Sequence, residues 1–207
     1  KVYKDHPNFG NPLTMAVMVK RTDGDLYHPE TLAKVWELTR DIDLAPAVDH
    51  AQILSITTEK ARFSEATPEG VDMRPLMDDR PPQTAEEIAE FKRRVAISAN
   101  TQTFLLSPDA EATLIMATFI EHRLDYGESF EYVQGLVEAA RDEHHEVYLA
   151  GQPALTGWVY RYQQEMVLIF GLTLLMLLLA LIAYLRNGVG VLTPVITSTV
   201  AAVWAFG

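Results

Sequence analysis

The sequence predicts an α+β domain of the ferredoxin-like (βαββαβ) type with an inserted helix, followed by a transmembrane helical hairpin. Charge is the first observation behind this prediction. Residues 1–165 hold all 28 acidic residues and 16 of the 17 basic ones, a net charge of −12, whereas residues 166–207 hold only Arg186. Periodicity is the second observation. Strand-like and helix-like patterns alternate up to residue 165, and long uncharged apolar runs follow from residue 166.

The first half of the domain has the pattern of a strand, a helix and a second strand. Residues 13–20 form an apolar run of strand length, and the Asp-Gly turn after it reverses the chain. Pro29 suits the first position of a helix over 29–43, in which apolar residues recur at helical spacing. Residues 51–58 (AQILSITT) predict the second strand.

The second half begins with an insertion at 59–100. Its first part, 59–82, contains four prolines and many charges and predicts a long loop. Thr84 and Glu87 then form a capping-box pattern at the start of a helix over 84–99.

A strand, a helix and a short strand complete the domain. Residues 112–120 predict the third strand, Ser129 is the expected cap of a helix reaching 143, and 146–150 predict the fourth strand. Without the insertion, the order is that of a split βαβ domain, with two helices on one face of a four-stranded sheet.

The C-terminal region predicts two membrane helices. Residues 166–184 are 19 residues without a charge, which as a helix span about 28 Å and match a hydrocarbon core of about 30 Å. After a short polar turn, 189–207 is again uncharged and contains Pro194, where we expect a kink. The flanking residues expected to anchor the first span at the membrane surface are Trp158, Tyr160, Tyr162, Tyr184 and Arg186.

These patterns divide the chain into an extracytoplasmic domain at 1–157, a span at 158–185 and the start of another span at 189–207. Arg186 lies in the turn between the spans and favours the cytoplasmic side, which places the domain outside. Because the chain begins at Lys1 and ends inside an apolar run, we expect it to be a fragment of a longer protein.

Composition excludes several functions. The acidic balance, without a basic stripe, argues against nucleic acid as a partner. The absence of cysteine excludes a disulfide framework, a thiolate zinc site and a cysteine nucleophile. Since the sequence has no Gly-rich phosphate loop, G-x-S-x-G or H-E-x-x-H motif, we expect neither enzymatic activity nor a cofactor.

Potential metal ligands have simpler interpretations. His144 and His145 are adjacent and lack a partner histidine at helical spacing, so we interpret them as a solvated helix end. Met15 and Met18 face opposite sides of a strand and cannot chelate one ion, which favours core or surface packing over a soft-metal relay. No metal site is therefore predicted.

Gly151 and Pro153 lie where the last strand must redirect into the membrane helix. A flexible residue beside a rigid one fits a hinge that couples movement of the domain to movement of the helix. The alternative is a simple turn between a domain and a helix.

The order of several loose motifs resembles a known transporter group. These motifs are Gly151-Gln152-Pro153, the apolar run ending Tyr184-Leu185-Arg186-Asn187, the segment Gly190-Val191-Leu192-Thr193-Pro194, and the closing Val203-Trp204-Ala205-Phe206-Gly207. They resemble the resistance–nodulation–division (RND) superfamily, and within it the MMPL/Patched-like exporters of bacteria. By this resemblance the chain covers the first porter domain, the second membrane helix and most of the third.

The resemblance implies a multi-pass protein of the bacterial inner membrane with a periplasmic porter domain. It implies proton-driven export of lipids or other hydrophobic compounds, with the proton relay in later membrane helices. The implied partners are membrane lipid, a hydrophobic substrate, the remainder of the transporter, and a second copy or an envelope partner. Two alternatives remain: a membrane-tethered sensor or interaction domain, and a protein-export helper of the SecD/SecF kind.

Overall fold

A computed structural model describes residues 11–68, 70–186 and 188–206. The chain divides into two compact units with the boundary between Tyr160 and Arg161. The helices and strands are β1 (Thr14–Arg21), α1 (Pro29–Asp43), β2 (Arg62–Thr67), β3 (Gly70–Pro75), α2 (Ala85–Ile97), α3 (Ala99–Phe104), β4 (Ala112–Thr118), α4 (Tyr126–Ala140), β5 (His145–Ala150), α5 (Gln152–Leu185) and α6 (Gly188–Phe206). The α+β class is therefore confirmed.

A three-stranded antiparallel sheet lies at the centre of the first unit, in the order β4-β1-β5. Burial alternates along β1, as expected for a strand with one face in the core, and Val17 pairs with Ile115 on one side and Leu149 on the other. Helices α1 and α4 contribute apolar side chains to the same core as this sheet. The core residues of β1, α1, β4 and α4 include Met15, Val17, Val19, Leu32, Val35, Ile42, Ile115, Val133 and Val137.

The strand predicted at 51–58 is wrong. The chain forms a 3₁₀ turn at His50–Gln52, and only Leu54 bridges to Met116 of β4, through two backbone hydrogen bonds of 2.8 Å. Ile53 and Ile56 are both buried three residues apart, so the apolar residues do not follow the two-residue period of a strand. The predicted four-stranded sheet is accordingly a three-stranded one, with isolated bridges from Leu54 to Met116 and from Leu106 to Thr113 on β4.

The predicted long loop at 59–82 contains a β-hairpin. Strands β2 and β3 pair along their whole length, yet Phe63 is the buried apolar residue of the pair while most neighbours are exposed. With little of the hairpin buried, its sequence lacks the alternation that marks a strand.

The inserted helix is confirmed, together with its capping box. Thr84 Oγ1 accepts from the amide of Glu87, and the Glu87 carboxylate accepts from the amide of Thr84. Hydrogen bonds from Arg80 and from the amides of Gln83 and Thr84 lower the pKa of Glu87 to about 2. The short helix α3, which the sequence pattern did not predict, follows directly.

Helix α4 starts earlier than predicted, because Asp125 caps it and not Ser129. The Asp125 carboxylate accepts from the amides of Gly127 and Glu128. Ser129 is buried inside the helix and donates a 3.0 Å hydrogen bond to the carbonyl oxygen of Pro46.

The second unit contains most of α5 and all of α6. Within the described part of the chain, one helix is long and apolar enough to cross a membrane, over Glu165–Tyr184, and none of that stretch is buried within the protein. The apolar part of α6, Gly190–Ala205, is shorter. The first predicted span thus lies within a single helix, α5, and a second span at 189–207 stays a prediction.

Candidate functional site

Gly151 connects β5 to α5 at a point where no other residue fits. Its φ of +118° lies in a region that residues with a Cβ rarely adopt. An added Cβ would overlap the carbonyl oxygen of Thr14 and lie 3.1 Å from the Cα of Met15, both backbone atoms of the adjacent chain. Gly151 therefore lets the end of β5 approach the start of β1 closely while the chain turns into the helix.

Pro153 lies in the first turn of α5 and is buried. Proline is tolerated there because the first amides of a helix have no partner within the helix. Ala154, the next residue, is only 2% exposed. The first turn of α5 is therefore part of the packed interior of the first unit.

The second turn of α5 packs against α4 through Gly157. A Cβ at this position would overlap Cβ and Cγ of Phe130, a side chain that is fully buried. The Trp158 ring also contacts Phe130, with 5.0 Å between ring centroids. Trp158, expected to be an interfacial anchor, thus packs within the first unit.

We call the set Gly151, Pro153, Ala154, Gly157 and Phe130 the junction. The sequence pattern identified its first two residues but not Gly157 or Phe130. These last two are 27 positions apart in the sequence and meet only when α4 folds against α5. The sequence signal available for this contact was a small residue, Gly157, followed by an aromatic one, Trp158, just before the apolar run.

Pro194 lies inside α6, as its seventh residue. Proline has no amide proton to donate, so one carbonyl of the preceding turn loses its hydrogen bond. Thr197 and Thr199 nearby donate their hydroxyls to the carbonyl oxygens of Thr193 and Val195 at 2.9 and 2.8 Å. The kink at Pro194 stays a prediction.

The interpretation of His145 as part of a solvated helix end is wrong. His145 begins β5 and is 1% exposed, with Nε2 2.8 Å from Thr31 Oγ1 and Nδ1 2.8 Å from Asp142 Oδ1. Arg21 also donates to Thr31 Oγ1 at 2.8 Å. The sequence pattern missed this network because its members come from β1, α1 and the turn before β5.

The same network contains potential metal ligands. Glu30, Asp142 and His145 each place a ligand atom within 4.8 Å of the others. However, the ammonium of Lys34 pairs with the Asp142 carboxylate, and both His145 nitrogens already have hydrogen-bond partners. Asp142 and His145 are therefore held by contacts within the protein.

Thr31, His145 and Asp142 also have the hydrogen-bond connectivity of a hydrolase triad. Thr31 is 1% exposed and its oxygen already accepts from Arg21. A nucleophile must reach its substrate, so this buried hydroxyl is suited to joining α1 to β5 instead.

The environment of Asp142 favours its ionised form. Burial alone would raise the pKa of this carboxyl, but hydrogen bonds from Lys34, His145 and the amide of His144 outweigh it and hold the pKa well below its ordinary value. The network is therefore most stable when Asp142 is charged.

Comparison with protein families decides the identity of the chain. Its sequence matches the model of the MMPL family over residues 4–207, through both units and across the junction. The chain belongs to the MMPL family. No individual curated protein matches it significantly.

MMPL membership indicates a membrane transporter of the RND type, as the sequence motifs predicted. The apolar helix at Glu165–Tyr184 is consistent with a membrane-associated MMPL protein. In this context the junction is the segment through which the folded domain continues into its long apolar helix.

Proposed function

We propose that this chain forms the first porter domain and the second and third membrane helices of a proton-driven exporter of lipids or other hydrophobic compounds. The observation that carries the proposal is the MMPL match, which spans both the acidic α+β unit and the apolar stretch of α5. A simple membrane anchor would not require a family match on both sides of the junction.

In the proposed mechanism the porter domain binds a hydrophobic substrate and moves as a rigid body between two states. Proton passage through membrane residues elsewhere in the intact protein would drive the movement by alternating access. The junction supports this because Ala154 and Gly157 make the first two turns of α5 part of the domain core. Gly151 and Pro153 are the proposed hinge between domain and helix.

We propose a multi-pass arrangement in the inner membrane, with the domain at 1–157 on the periplasmic side. Arg186 after the first span supports this orientation through the positive-inside tendency.

We also propose that the domain is a reduced ferredoxin-like fold. The Leu54–Met116 bridge supports this, because it lies on β4 where the second strand of that fold would pair.

The proposed partners are membrane lipid, a hydrophobic substrate, the remaining transporter segments, and a second copy or an envelope protein. Nucleic acid is not among them. We propose no enzymatic activity for this chain, and the inaccessible hydroxyl of Thr31 supports that proposal.

The test uses the intact protein that contains this chain, reconstituted in liposomes. Movement of an NBD-labelled lysophospholipid between leaflets is followed by dithionite quenching, with and without an imposed pH gradient. The proposal predicts transport that requires the gradient and stops when a proton ionophore is added. Transport that survives the ionophore would contradict the proton-driven mechanism, and no transport at all would favour a tethered sensor domain.

A further inference from the structure

A cavity of about 500 Å³ lies in the first unit, apart from the junction. Its wall is formed by the C-terminal half of α1, the 3₁₀ turn after it and the chain leading into β2. This volume is within the range of about 300–1,000 Å³ that small-molecule sites occupy. We call this cavity the Trp36 groove.

The Trp36 groove has an aromatic and apolar surface. Trp36 is half-buried and Ile53 is 3% exposed, so both present fixed surfaces to the cavity. The Arg40 guanidinium lies 5.4 Å from the centroid of the Trp36 ring, in a cation–π arrangement. An apolar ligand group next to Trp36 would therefore also lie near a positive charge.

The charges of the groove differ from those of the rest of the domain. Arg40, Lys60 and Arg62 line it against two carboxylates, Asp43 and Glu59. This local excess of positive charge occurs in a region that carries −12 overall. Such a patch attracts an anion even when the whole protein is acidic.

Two of these cations lack a carboxylate partner within the described residues. Lys60 donates to the backbone carbonyls of His50, Ala51 and Ile53, which use its three N–H groups, so it acts on a ligand through its charge. Arg62 donates through Nε to the carbonyl oxygen of Glu59 at 2.9 Å. By contrast, Arg74 and Arg93 on neighbouring elements each pair with a carboxylate. The terminal guanidinium nitrogens of Arg62 are thus suited to an incoming anionic group.

The Asp43 carboxylate is directed to His50, with 2.8 Å between Oδ1 and Nδ1, and within the described residues it forms no ion pair with Lys60 or Arg62. Glu59 remains as the carboxylate closest in sequence to both cations and lies on the wall shared with a second cavity. Lys60 and Arg62 are thus the groove cations that have no carboxylate partner among the described residues.

A second cavity of about 330 Å³ shares Trp36, Thr57 and Glu59 with the first. It continues past Pro75 and Met77 to Asp78 and Asp79. The first cavity is thus lined by cations and by Trp36, whereas the second adds Met77 and two further carboxylates. Those carboxylates would repel an anion and so set the direction in which a ligand lies.

We propose that the Trp36 groove binds an anionic amphiphile, with its phosphate or carboxylate head at Arg62 and Lys60 and its apolar body on Trp36. That this amphiphile is also a transported substrate rests on the proposed function. Binding itself does not require transport, so the two can be tested separately.

The binding experiment uses the intact protein in lipid nanodiscs and isothermal titration calorimetry. Three probes are compared: oleoyl lysophosphatidic acid, monoolein, which has the same acyl chain without phosphate, and inorganic phosphate. We expect the anionic lipid to bind about tenfold more tightly than monoolein, or tighter still, because its phosphate adds at least one charge-assisted hydrogen bond. Equal binding of the two lipids would overturn the proposal, and binding of inorganic phosphate as tight as that of the lipid would show a phosphate site instead.

Arg62→Gln is the test variant and Arg74→Gln is its matched control. Both arginines are exposed on the same hairpin, but Arg74 pairs with Asp72 and does not line the groove. We expect R62Q to weaken binding of the anionic lipid about five- to tenfold and to leave monoolein binding unchanged, while R74Q changes neither. Equal effects of the two variants would show nonspecific attraction and overturn the proposal.

Failure of this proposal and failure of the proposed function give different results. If R62Q and R74Q bind the anionic lipid equally while transport still depends on the proton gradient, the groove is not the headgroup site but the exporter stands. If binding follows the groove charges while transport ignores the gradient, the site stands and the proton-driven mechanism does not.

Discussion

The two ends of helix α5 have different surroundings. In its first two turns Ala154 is almost fully buried, and a single added carbon at Gly157 would overlap Phe130. In the stretch Glu165–Tyr184 nothing is buried within the protein, and a Cβ at Gly171 would have no neighbour within 4 Å. Side-chain size therefore determines what the first region tolerates, whereas hydrophobicity and length determine what the second tolerates.

The largest effect is expected at the first residue of the junction. Gly151→Ala would combine an unfavourable φ with overlap of the Thr14 carbonyl, and we expect it to reduce the free energy of unfolding by roughly 3–5 kcal/mol. Gly24→Ala is the control, because Gly24 also has a positive φ but open space around it. Thermal unfolding of the purified intact protein measures both, and equal losses would show that close packing at Gly151 is unimportant.

The comparison within α5 is sharpest for two alanine substitutions in the same helix. Gly157→Ala must displace the buried Phe130 ring, and we expect a loss of about 1–3 kcal/mol. Gly171→Ala meets no neighbour and removes a helix-weakening glycine, so we expect no loss and a gain of up to about 1 kcal/mol. The same unfolding measurement applies, and a Gly171→Ala loss as large as that of Gly157→Ala would contradict the distinction.

A smaller effect is expected at the opposite end of β5, where Asp142 holds His145. Asp142→Asn weakens the pairing with Lys34 and the hydrogen bond to a buried imidazole, and we expect a loss of about 1–2 kcal/mol at neutral pH.

The pH dependence gives a second readout of Asp142. Because its pKa is lowered in the folded state, its contribution to stability is fully present above the unfolded-state value near pH 4 and is lost as pH falls below it. Chemical denaturation between pH 3 and pH 7 should therefore show a shallower acid-side decrease for Asp142→Asn than for the unmodified protein. An identical decrease would mean that Asp142 does not contribute to the acid sensitivity.

An effect similar to that of Asp142→Asn is expected for Pro153→Ala. The backbone there is already helical, but the variant loses the restriction that proline places on the unfolded chain, about 0.4–1 kcal/mol, and part of a buried ring, so we expect a total loss of about 1–2 kcal/mol. If Gly151 and Pro153 form a hinge, gradient-driven transport should nevertheless slow. Unchanged transport by this variant would rule out the hinge and leave a simple turn.

Elements determined by local periodicity could be predicted from the sequence. Strands β1, β4 and β5, helix α1 and the capped helix α2 all formed close to their expected positions, because their burial patterns follow the sequence directly. Residues 51–58 misled the prediction because an apolar composition does not by itself distinguish a strand from a buried turn. The β2–β3 hairpin was missed because it buries little apolar surface.

The candidate site could be predicted only in part for a related reason. Gly151 and Pro153 stand out at the boundary between a charged region and an uncharged one, which is a local signal. The contact of Gly157 with Phe130, and the network around His145, join segments far apart in the sequence. Periodicity carries no information about such pairs, so only the folded chain reveals them.

In the proposed mechanism, the junction couples the porter domain to its membrane helix. The most direct test is the initial rate of gradient-driven lysophospholipid transport by Gly157→Ala and Gly171→Ala proteins, each normalised to the amount of folded protein. We predict a decrease of about tenfold for Gly157→Ala and a rate within about twofold of the unmodified protein for Gly171→Ala. Equal rates for the two folded variants would contradict this coupling.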